Sequence, residues 1–434
     1  MQRREFLGTL AAVPFVPGLV RGQPRGAPRV NGARLNAQLA QFDAIGRTAS
    51  GINRVAYADA DLAGRRFTLD LFRAAGLAPV VDAAGNIVAR VEGSSPGRPP
   101  IIIGSHVESV TDGGNYDGPV GSFGAIEVAR TLREQNLRLR HPLEVVVWQN
   151  EEGGTIGSKL AIGALTDDGL DRRARSGFTL REGLARIGGD PSRLAGVVRP
   201  PGSIAGYFEL HIEQGGVLEQ RGRQVGVVEG IVGLRWLEVT VTGTANHAGA
   251  TPMDQRQDAV LAAAKFTVAV NDLVRAEPGR QVATVGRVVP SPNTTNIIAG
   301  SVLLTVDLRD LDATKLARLT AAFERAGAEV GRATGTTFAF VRTVDSDPAP
   351  ATPAMMAHVE AAASALGCTT LTMPSGAGHD AQELARIGPM GMIFIPSVGG
   401  VSHSPKEYSR PEDITRGADV LLHAVLGLDR IAGR

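Results

Sequence analysis

Five short motifs rich in histidine and acidic residues are spread along the sequence, and these residue types bind divalent metal ions. The motifs are centred on His106 in GSH, Asp117 in YDG, Glu151 and Glu152 in NEEG, His211 in HIEQG and His403 in SHSPKE. Imidazole nitrogen and carboxylate oxygen are the ligands that zinc and similar ions accept. A bridging carboxylate flanked by His/carboxylate pairs can hold two ions about 3.5–4 Å apart. The joint pattern therefore predicts a two-metal hydrolytic centre.

Each motif has an expected role in such a centre. His106 and His211 would bind metal through a neutral ring nitrogen, and Asp117 would bridge the two ions. Glu152 and His403 would complete the second ion, leaving positions open for water, as in catalytic rather than structural sites. For any one of these histidines taken alone, a hydrogen-bonded structural role is the commoner one. Only the joint occurrence of the motifs favours metal.

Glu151 is the expected general base. It lies next to the ligand Glu152, and metals of this kind bring the ionisation of a bound water near neutral pH. A carboxylate beside that water can take its proton and pass it to the leaving nitrogen. A Glu-Glu pair is more often a solvated surface pair, but the apolar run 145–148 immediately before this one indicates a buried strand end.

Three apolar segments, at 101–103, 144–148 and 207–212, have the composition of buried strands. His106 and the acidic pair follow the first two, and His211 lies within the third. In open α/β sheets, ligands gather at the carboxyl ends of the strands. The sequence therefore predicts a mixed α/β catalytic domain that brings these motifs to one edge of its sheet.

The middle of the chain follows another pattern, in which strands at 234–241, 281–288, 301–308 and 337–342 alternate with two helices. The helices are predicted at 254–274 and 313–333, which gives the β-α-β-β-α-β order of a ferredoxin-like α+β unit. Further helices are predicted at 34–50 and 59–76. We expect a catalytic domain in two parts, 31–228 and 345–434, interrupted by an inserted domain at 229–344.

Composition limits the kind of protein. With 434 residues, 43% of them hydrophobic and 21% charged, the chain is typical of a globular protein of two domains. Its 45 basic and 44 acidic residues give a net charge of +1, which argues against a nucleic-acid or polybasic membrane surface and favours a small-molecule substrate. Cys368 is the single cysteine, so an intrachain disulfide and a thiolate metal site are both excluded.

The first 30 residues are expected to be a targeting signal and a linker. Arg3 and Arg4 precede a modest apolar run over 8–20 that contains two prolines and is too short to span a membrane comfortably. This start resembles a twin-arginine export signal. It predicts a periplasmic or exported protein, and a cytoplasmic one if the signal does not function.

At this point the chain resembles the M20 clan of metal-dependent amidohydrolases. The resemblance is closest to the branch of N-carbamoyl-L-amino acid hydrolases, β-ureidopropionases and allantoate amidohydrolases, and it covers nearly all of residues 33–430. It is carried by GSHVESVTDGGNYDGPVG, NEEG, ELHIEQG, ANHAGATPM, NTTNIIAG, VDLRD, SGAGHDA and SHSPKE. The resemblance implies a fold of the di-metal aminopeptidase type, two zinc, manganese, cobalt or nickel ions and hydrolysis of a ureido or amide C–N bond. It also implies a lid that forms a homodimer.

Carried over by motif, the resemblance gives the ligand and base assignments above and adds substrate contacts. Gln214, Asn296 and Arg309 would contact the substrate, the last two through its carboxylate, and His247 would polarise the scissile carbonyl, from its own chain or from the partner subunit. The backbone around Ala377 would offer N–H groups. Behind the ligands, Glu108, His379 and Asp380 would orient them. A planar guanidinium suits a carboxylate, but from the pattern alone a surface ion pair of Arg309 with Asp307 or Asp310 is the better interpretation.

The sequence departs from the family pattern at two places. Glu108 stands where the family usually has Asp, and a Gly-Gly-Thr run follows the acidic pair where the family often has Arg-Phe. Two further hypotheses remain beside a ureido amidohydrolase. One is a peptidase or aminoacylase of the same clan, against which HIEQG and the Arg309 context weigh. The other is an exported binding protein that has lost turnover through Glu108, against which the complete ligand set weighs.

Overall fold

The structure is a computed structural model, and it describes residues 27–431. The apolar run and the twin arginines of the expected export signal lie outside these residues. The strands within the described range are β1 (Val80–Val81), β2 (Ile87–Val91), β3 (Ile101–Ser105), β4 (Leu143–Val147), β5 (Gly206–Ile212), β6 (Val225–Ile231), β7 (Gly233–Thr242), β8 (Asn246–His247), β9 (Val282–Ser291), β10 (Ile297–Ile298), β11 (Ser301–Asp310), β12 (Thr337–Ser346), β13 (Ala349–Pro350), β14 (Thr370–Ser375) and β15 (Met390–Ile395).

The α-helices of the same range differ widely in length, and short 3₁₀ turns join some of them. They are α1 (Gly32–Phe42), α2 (Asp59–Ala74), α3 (Pro119–Glu134), α4 (Ile156–Ala161), α5 (Leu180–Arg186), α6 (Val217–Gln220), α7 (Ala259–Ala276), α8 (Ala313–Thr334), α9 (Pro353–Ala365), α10 (Asp380–Leu384) and α11 (Pro411–Ile431). None of these helices is long and apolar enough to cross a membrane.

A nine-stranded mixed sheet forms the larger body of the chain. Its strand order is β1-β2-β4-β3-β5-β15-β6-β13, with β14 paired to β6. Strands β4, β3, β5 and β15 are neighbours and run parallel, so their carboxyl ends meet at one edge. Each of them is buried along its whole length, which explains the continuous apolar runs in the sequence.

Alternate residues of these strands enter two different cores. Ile103 and Val145 pack with α3 and α11 on one face of the sheet, and Ile102 and Val146 pack with α10 on the other. Because both faces are covered, the strands are held rigidly where they deliver the side chains at their ends.

The second sheet is antiparallel, four-stranded and ordered β12-β7-β11-β9. Along β7, buried and exposed residues alternate, and the buried side packs with α7 and α8 around Phe266 and Phe323. The chain order β7-α7-β9-β11-α8-β12 is the predicted ferredoxin-like order. The predicted fold class, a mixed α/β sheet with a separate α+β unit, is confirmed.

Two predicted helices were wrong at one end. The helix predicted over 34–50 ends at Phe42, because Arg54 donates to the carbonyl oxygens of Phe42 and Ile45 and closes the last turn. The helix predicted from residue 254 begins at Ala259 instead. Asp258 supplies the cap, since its carboxylate accepts the N–H groups of Val260 and Leu261.

Candidate metal centre

The five motifs meet at the carboxyl edge of the large sheet. His106 directly follows β3, and the acidic pair follows β4 after a three-residue turn. His211 lies within β5, the neighbour of β3, and Asp117 lies in the turn before α3. His403 reaches the same place from the loop between β15 and α11. The strand ends thus deliver three of the motifs, and two loops deliver the others.

Asp117 stands between two groups of side chains, one for each of its carboxylate oxygens. Its Oδ1 lies 3.1 Å from His211 Nε2 and 3.6 Å from His106 Nε2. Its Oδ2 lies 3.1 Å from His403 Nε2, which is itself 3.5 Å from Glu152 Oε1. In each group, the possible ligand atoms lie within 4.8 Å of one another. A carboxylate placed in this way can bridge two cations.

The charges in this cluster depend strongly on one another. Burial would raise the pKa of Asp117, but the adjacent imidazoles of His106, His211 and His403 hold it well below its ordinary value. The hydrogen bond to Asp117 raises the pKa of His403 to about 9. Burial, followed by the charge of Asp117, raises the pKa of Glu152 to about 7. Without added positive charge, the cluster therefore retains protons that metal ions would displace.

The surroundings of Glu151 also shift the pKa of its carboxyl group. Burial raises the pKa of its carboxyl group well above the ordinary value, although the positive charge of His106 opposes this. Its Oε2 lies 3.8 Å from His106 Nε2, and the side chain lines the cavity above the cluster. A carboxylate with a raised proton affinity, facing the space where a substrate would bind, suits a general base.

The donor set fits divalent metal ions. His211 Nδ1 lies 2.9 Å from the carbonyl oxygen of Ile212, so the proton belongs on Nδ1 and the Nε2 lone pair is free. That Nε2 is buried and faces Asp117 Oδ1 at 3.1 Å, so the nitrogen and the carboxylate oxygen are both directed at one point. A divalent ion bound there would use both atoms as ligands. The oxygen and nitrogen donors suit zinc, manganese, cobalt or nickel.

Glu108 supports the centre in a way that its sequence position did not predict. Its carboxylate was expected to orient His106, but Oε1 lies 3.6 Å from His106 Nδ1, beyond hydrogen-bond distance. The same oxygen instead accepts the backbone N–H of Glu151 and, at 3.3 Å, that of Glu152. The nearer contact of His106 Nδ1 is the backbone oxygen of Glu108, at 3.2 Å. The carboxylate of Glu108 therefore holds the turn of the acidic pair.

Glu407 has a role that the sequence analysis missed. Its Oε1 accepts the N–H groups of Tyr116 and Asp117 at 2.9 and 3.0 Å. Its Oε2 accepts the Ser402 hydroxyl at 2.8 Å and the N–H of His403 at 3.3 Å. One buried carboxylate thus ties the Asp117 turn to the His403 loop. The signal was present, because Glu407 is the last residue of the SHSPKE motif.

Glu209 was also missed, and it lies behind the centre with His379 and Asp380. Its carboxylate accepts the hydroxyl of Ser105 at 2.8 Å and the N–H of Ala381 at 3.1 Å, at the start of α10. Its place two residues before His211 on one face of β5 was the available signal.

His379 and Asp380 were expected to orient the ligands, and the structure places both of them behind the centre. The His379 ring lies 4.4 Å from that of His211, between centroids, and its Nε2 is 2.8 Å from Ser375 Oγ. Burial lowers the pKa of His379 well below its ordinary value, so the ring is neutral. Asp380 is buried and accepts the Ser158 hydroxyl.

Strained backbone is concentrated around the ligands. Among the described non-glycine residues with positive φ, four belong to the turns of the centre: Asn150, Thr155, Gln214 and His403. Such conformations persist only where the surrounding structure enforces them, and they are common at functional sites. Gly118, at φ +82°, shows the crowding directly, because a Cβ there would lie 2.4 Å from the His106 ring.

A cavity of about 320 Å³ opens above the cluster and contains several of the expected substrate contacts. Asp117, the acidic pair, Gln214, Arg309, Ala377 and His403 all line it. Gln214 donates to Asp117 Oδ2 at 2.8 Å, so its amide covers the bridging carboxylate. The N–H of Ala377 donates to Ser375 Oγ at 3.2 Å.

For Arg309, the sequence left open a contact with the substrate carboxylate and an ion pair with Asp307 or Asp310. Its guanidinium pairs with Asp307, with Nη2 2.7 Å from Oδ2, and it also donates to the carbonyl oxygen of Gly376 at 2.6 Å. The ion pair with Asp307 therefore exists, yet the side chain also lines the cavity. Arg309 links the antiparallel sheet to the loop before α10.

His247 and Asn296 do not line this cavity within one chain. They lie together on a two-stranded ribbon, in which β8 pairs with β10 and Ala248 N donates to the Asn296 carbonyl oxygen at 3.0 Å. His247 is exposed, and its Nδ1 accepts the N–H groups of Gly249 and Ala250, both at 3.1 Å. This fixes Nε2 as the protonated nitrogen of the neutral ring, so the outward side of the ring is a donor.

Comparison with known proteins assigns the chain to a family. Residues 103–427 match the model of Peptidase family M20/M25/M40. The chain is 38% identical over 402 residues to an N-carbamoyl-L-amino acid amidohydrolase of Geobacillus stearothermophilus, covering 91% of this chain and 98% of that protein. It is 34% identical over 383 residues to a ureidoglycolate hydrolase of Arabidopsis thaliana, covering 85% and 80%. The chain belongs to the M20 family.

A solved structure of similar sequence agrees with this assignment. An amidase of the hydantoinase/carbamoylase family from Burkholderia multivorans superimposes with a TM-score of 0.85 at 38% identity, covering 92% of this chain and 98% of that one. The predicted resemblance to the amidohydrolase branch of the clan is confirmed, and the protein is an amidohydrolase that acts on carbon–nitrogen bonds.

Proposed function

We propose that the protein hydrolyses the ureido C–N bond of an N-carbamoyl-L-amino acid. The observation that carries this proposal is the position of Asp117, with one oxygen facing each ligand group, at the base of a cavity that also contains Glu151 and Arg309. The relatives named above act on carbamoyl and ureido compounds, which supports the choice of bond.

In this proposal, five side chains hold two divalent ions. His106 and His211 lie on one side of Asp117, and Glu152 and His403 lie on the other. When bound, such ions polarise the scissile carbonyl and lower the pKa of a water molecule. Zinc, manganese, cobalt and nickel all suit this donor set.

The chain itself then moves the proton and holds the substrate. Glu151 takes a proton from the attacking water and delivers it to the amino-acid nitrogen as the C–N bond breaks. The amino acid leaves, and the carbamate that remains decomposes to carbon dioxide and ammonia. Arg309 and Asn296 bind the substrate carboxylate, and Gln214 and the backbone near Ala377 position the ureido group.

We infer that the active form is a homodimer with an inserted domain at 229–344. His247 and Asn296 lie outside the cavity of their own chain, and a symmetric partner could present them to it. The outer strands of the antiparallel sheet carry exposed apolar residues, including Val288 on β9 and Val341 on β12, as an unpaired interface would. His247 Nε2–H would then donate to the scissile carbonyl.

We also propose that the first 30 residues direct twin-arginine export. The support is the Arg3-Arg4 pair before the apolar run. Cell fractionation would test this: Arg3→Lys together with Arg4→Lys should retain the protein in the cytoplasm. Finding the unmodified protein only in the cytosolic fraction would contradict it.

A substrate panel tests the main proposal. Metal-loaded protein is incubated with N-carbamoyl-L-amino acids, ureidoglycolate, allantoate and N-acetyl amino acids, and ammonia and amino-acid release are measured. We expect turnover to be highest with an N-carbamoyl-L-amino acid. Higher turnover with ureidoglycolate, which the similarity to the Arabidopsis thaliana enzyme favours, would move the assignment to that substrate. Turnover of N-acetyl compounds alone would indicate an aminoacylase.

A further inference from the structure

The cavity has a polar corner that the proposed reaction does not use. This corner, called here the Lys159 corner, is lined by Gly154, Thr155, Lys159, Gln382 and Glu383. It lies beyond the turn that carries the acidic pair, where α4 begins. It is therefore suitably placed to contact a part of the substrate other than the scissile bond.

Lys159 has hydrogen-bonding capacity to spare. Its Nζ donates to the carbonyl oxygen of Gly154 at 2.9 Å, and Glu383 Oε1 lies at 3.7 Å, beyond hydrogen-bond distance. An ammonium group has three N–H donors. Its side chain is about one-third exposed, at 34%, and it lines the cavity. Donors therefore remain for a bound molecule.

Glu383 does not cancel the charge of this corner. Its Oε1 accepts the Thr155 hydroxyl at 3.3 Å, and its Oε2 accepts from Arg386 at 3.3 Å. Glu383 is therefore shared between Arg386, at hydrogen-bond distance, and Lys159, at 3.7 Å. The ammonium of Lys159 is thus not fully paired, and an anionic group on the substrate is the complementary ligand for it.

The corner also has room for a substrate side chain. Gly154 has φ +108°, and a Cβ added there would meet no atom within 4 Å. The turn after the acidic pair thus carries no side chain at this position, and Gly154 and Lys159 line the same cavity. A group projecting from the substrate would meet little bulk at this part of the wall.

Arg309 occupies a different part of the wall, where it contacts Asp307 and the loop at Gly376. The cavity therefore contains two cationic positions, which suits a substrate with two carboxylates. Resting on the function proposed above, we propose that Lys159 is a specificity-determining residue that binds a second carboxylate, so that the N-carbamoyl derivatives of acidic amino acids are preferred to their neutral amides.

Matched substrates test this directly. The kcat/KM of the metal-loaded full-length protein is measured for N-carbamoyl-L-aspartate against N-carbamoyl-L-asparagine, and for the glutamate and glutamine pair. We expect the acidic member to be favoured about tenfold, since a charge-assisted hydrogen bond at a partly exposed site has that effect. Lys159→Gln should remove this preference through KM, and Lys159→Arg should retain much of it. Lys265→Gln, at an exposed lysine of α7, is the charge control and should leave the ratio unchanged.

The failure of this inference can be told apart from failure of the proposed function. Equal kcat/KM for the acidic and neutral members, or an unchanged ratio in Lys159→Gln, would overturn the role of Lys159. Hydrolysis of both members of a pair would still support the proposed hydrolysis of N-carbamoyl amino acids. If no carbamoyl compound is cleaved, the proposed function fails. Calorimetry with L-aspartate and L-asparagine then tests separately whether the Lys159 corner binds an anion. Tighter binding of aspartate that Lys159→Gln abolishes would support the corner as an anion site, and equal binding would overturn it.

Discussion

Glu151 and Glu152 are adjacent in the sequence but have different neighbours. Glu152 Oε1 lies near His403 and Asp117, whereas Glu151 faces His106 and the cavity. The strained turn, with Asn150 and Thr155 at positive φ, turns the two side chains apart. This geometry supports the proposal that Glu152 binds metal while Glu151 moves a proton.

Replacing Glu151 tests this division. We expect Glu151→Gln to retain both metal ions and the fold but to lose about 10²–10⁴-fold in kcat, because the amide cannot accept the proton. Elemental analysis measures the metal content of the variant, and ammonia release measures its kcat. Glu152→Gln is the matched control, and it should lose metal together with activity. Turnover of Glu151→Gln at the unmodified rate would show that another group is the base.

The sequence shows a glutamate at position 108, but it does not show which groups the Glu108 carboxylate contacts. Its longer side chain reaches the N–H groups of Glu151 and Glu152, and only the folded turn shows that they are within reach. Glu108→Ala should lower kcat about a hundredfold, because buried N–H groups lose their acceptor and the turn relaxes. Glu108→Gln should lose much less, since its amide oxygen can still accept. If both variants were equally impaired at unchanged thermal stability, the charge of Glu108 would be what matters.

At the scale of elements, the parallel strands explain how distant motifs converge. Strands β4, β3 and β5 are consecutive in the sheet, and each carries or precedes a motif at its carboxyl end. This much was predictable, because buried strands appear in the sequence as apolar runs. The contacts of Glu407 were not, since it accepts from Tyr116 and Asp117 across about 290 positions of the chain. The end of α1 and the start of α7 were mispredicted for a similar reason. The side chain of Arg54 determines the first, and that of Asp258 determines the second.

The start of α3 leaves little room for change beside the His106 ring. Gly118→Ala would place a methyl carbon against the His106 ring at a backbone with φ +82°. We expect this variant to bind metal at least tenfold more weakly and to be correspondingly less active, because the ring must move. Gly196→Ala is the control, as a Cβ there meets no atom within 4 Å. Unchanged metal affinity of Gly118→Ala, measured by competition with a chelator, would contradict the assignment of His106.

For the whole molecule, the substrate contacts proposed above do not all line the cavity of one chain. The metal motifs meet within a single chain, but His247 and Asn296 lie on the β8–β10 ribbon away from its cavity. The sequence could predict which motifs exist, but it could not show that these two residues lie away from the cavity of their own chain. Their proposed contact with the substrate therefore requires a partner subunit.

Subunit mixing tests whether His247 acts across an interface. His247→Ala and Glu151→Gln homodimers should each be nearly inactive. After subunit exchange, the mixture should recover about a quarter of the unmodified rate, because half of the dimers then contain one intact site. No recovery despite exchange verified by native mass spectrometry would contradict a shared site.

The central claim is that one bridging carboxylate organises two catalytic ions. The most direct test is to remove metal with a chelator, verify its absence by elemental analysis, and titrate Zn²⁺ or Mn²⁺ while measuring ammonia release from an N-carbamoyl-L-amino acid. We expect negligible release without metal and a rise that levels off at about two equivalents per chain. Full activity in the metal-free protein, or saturation of activity at one equivalent, would contradict it.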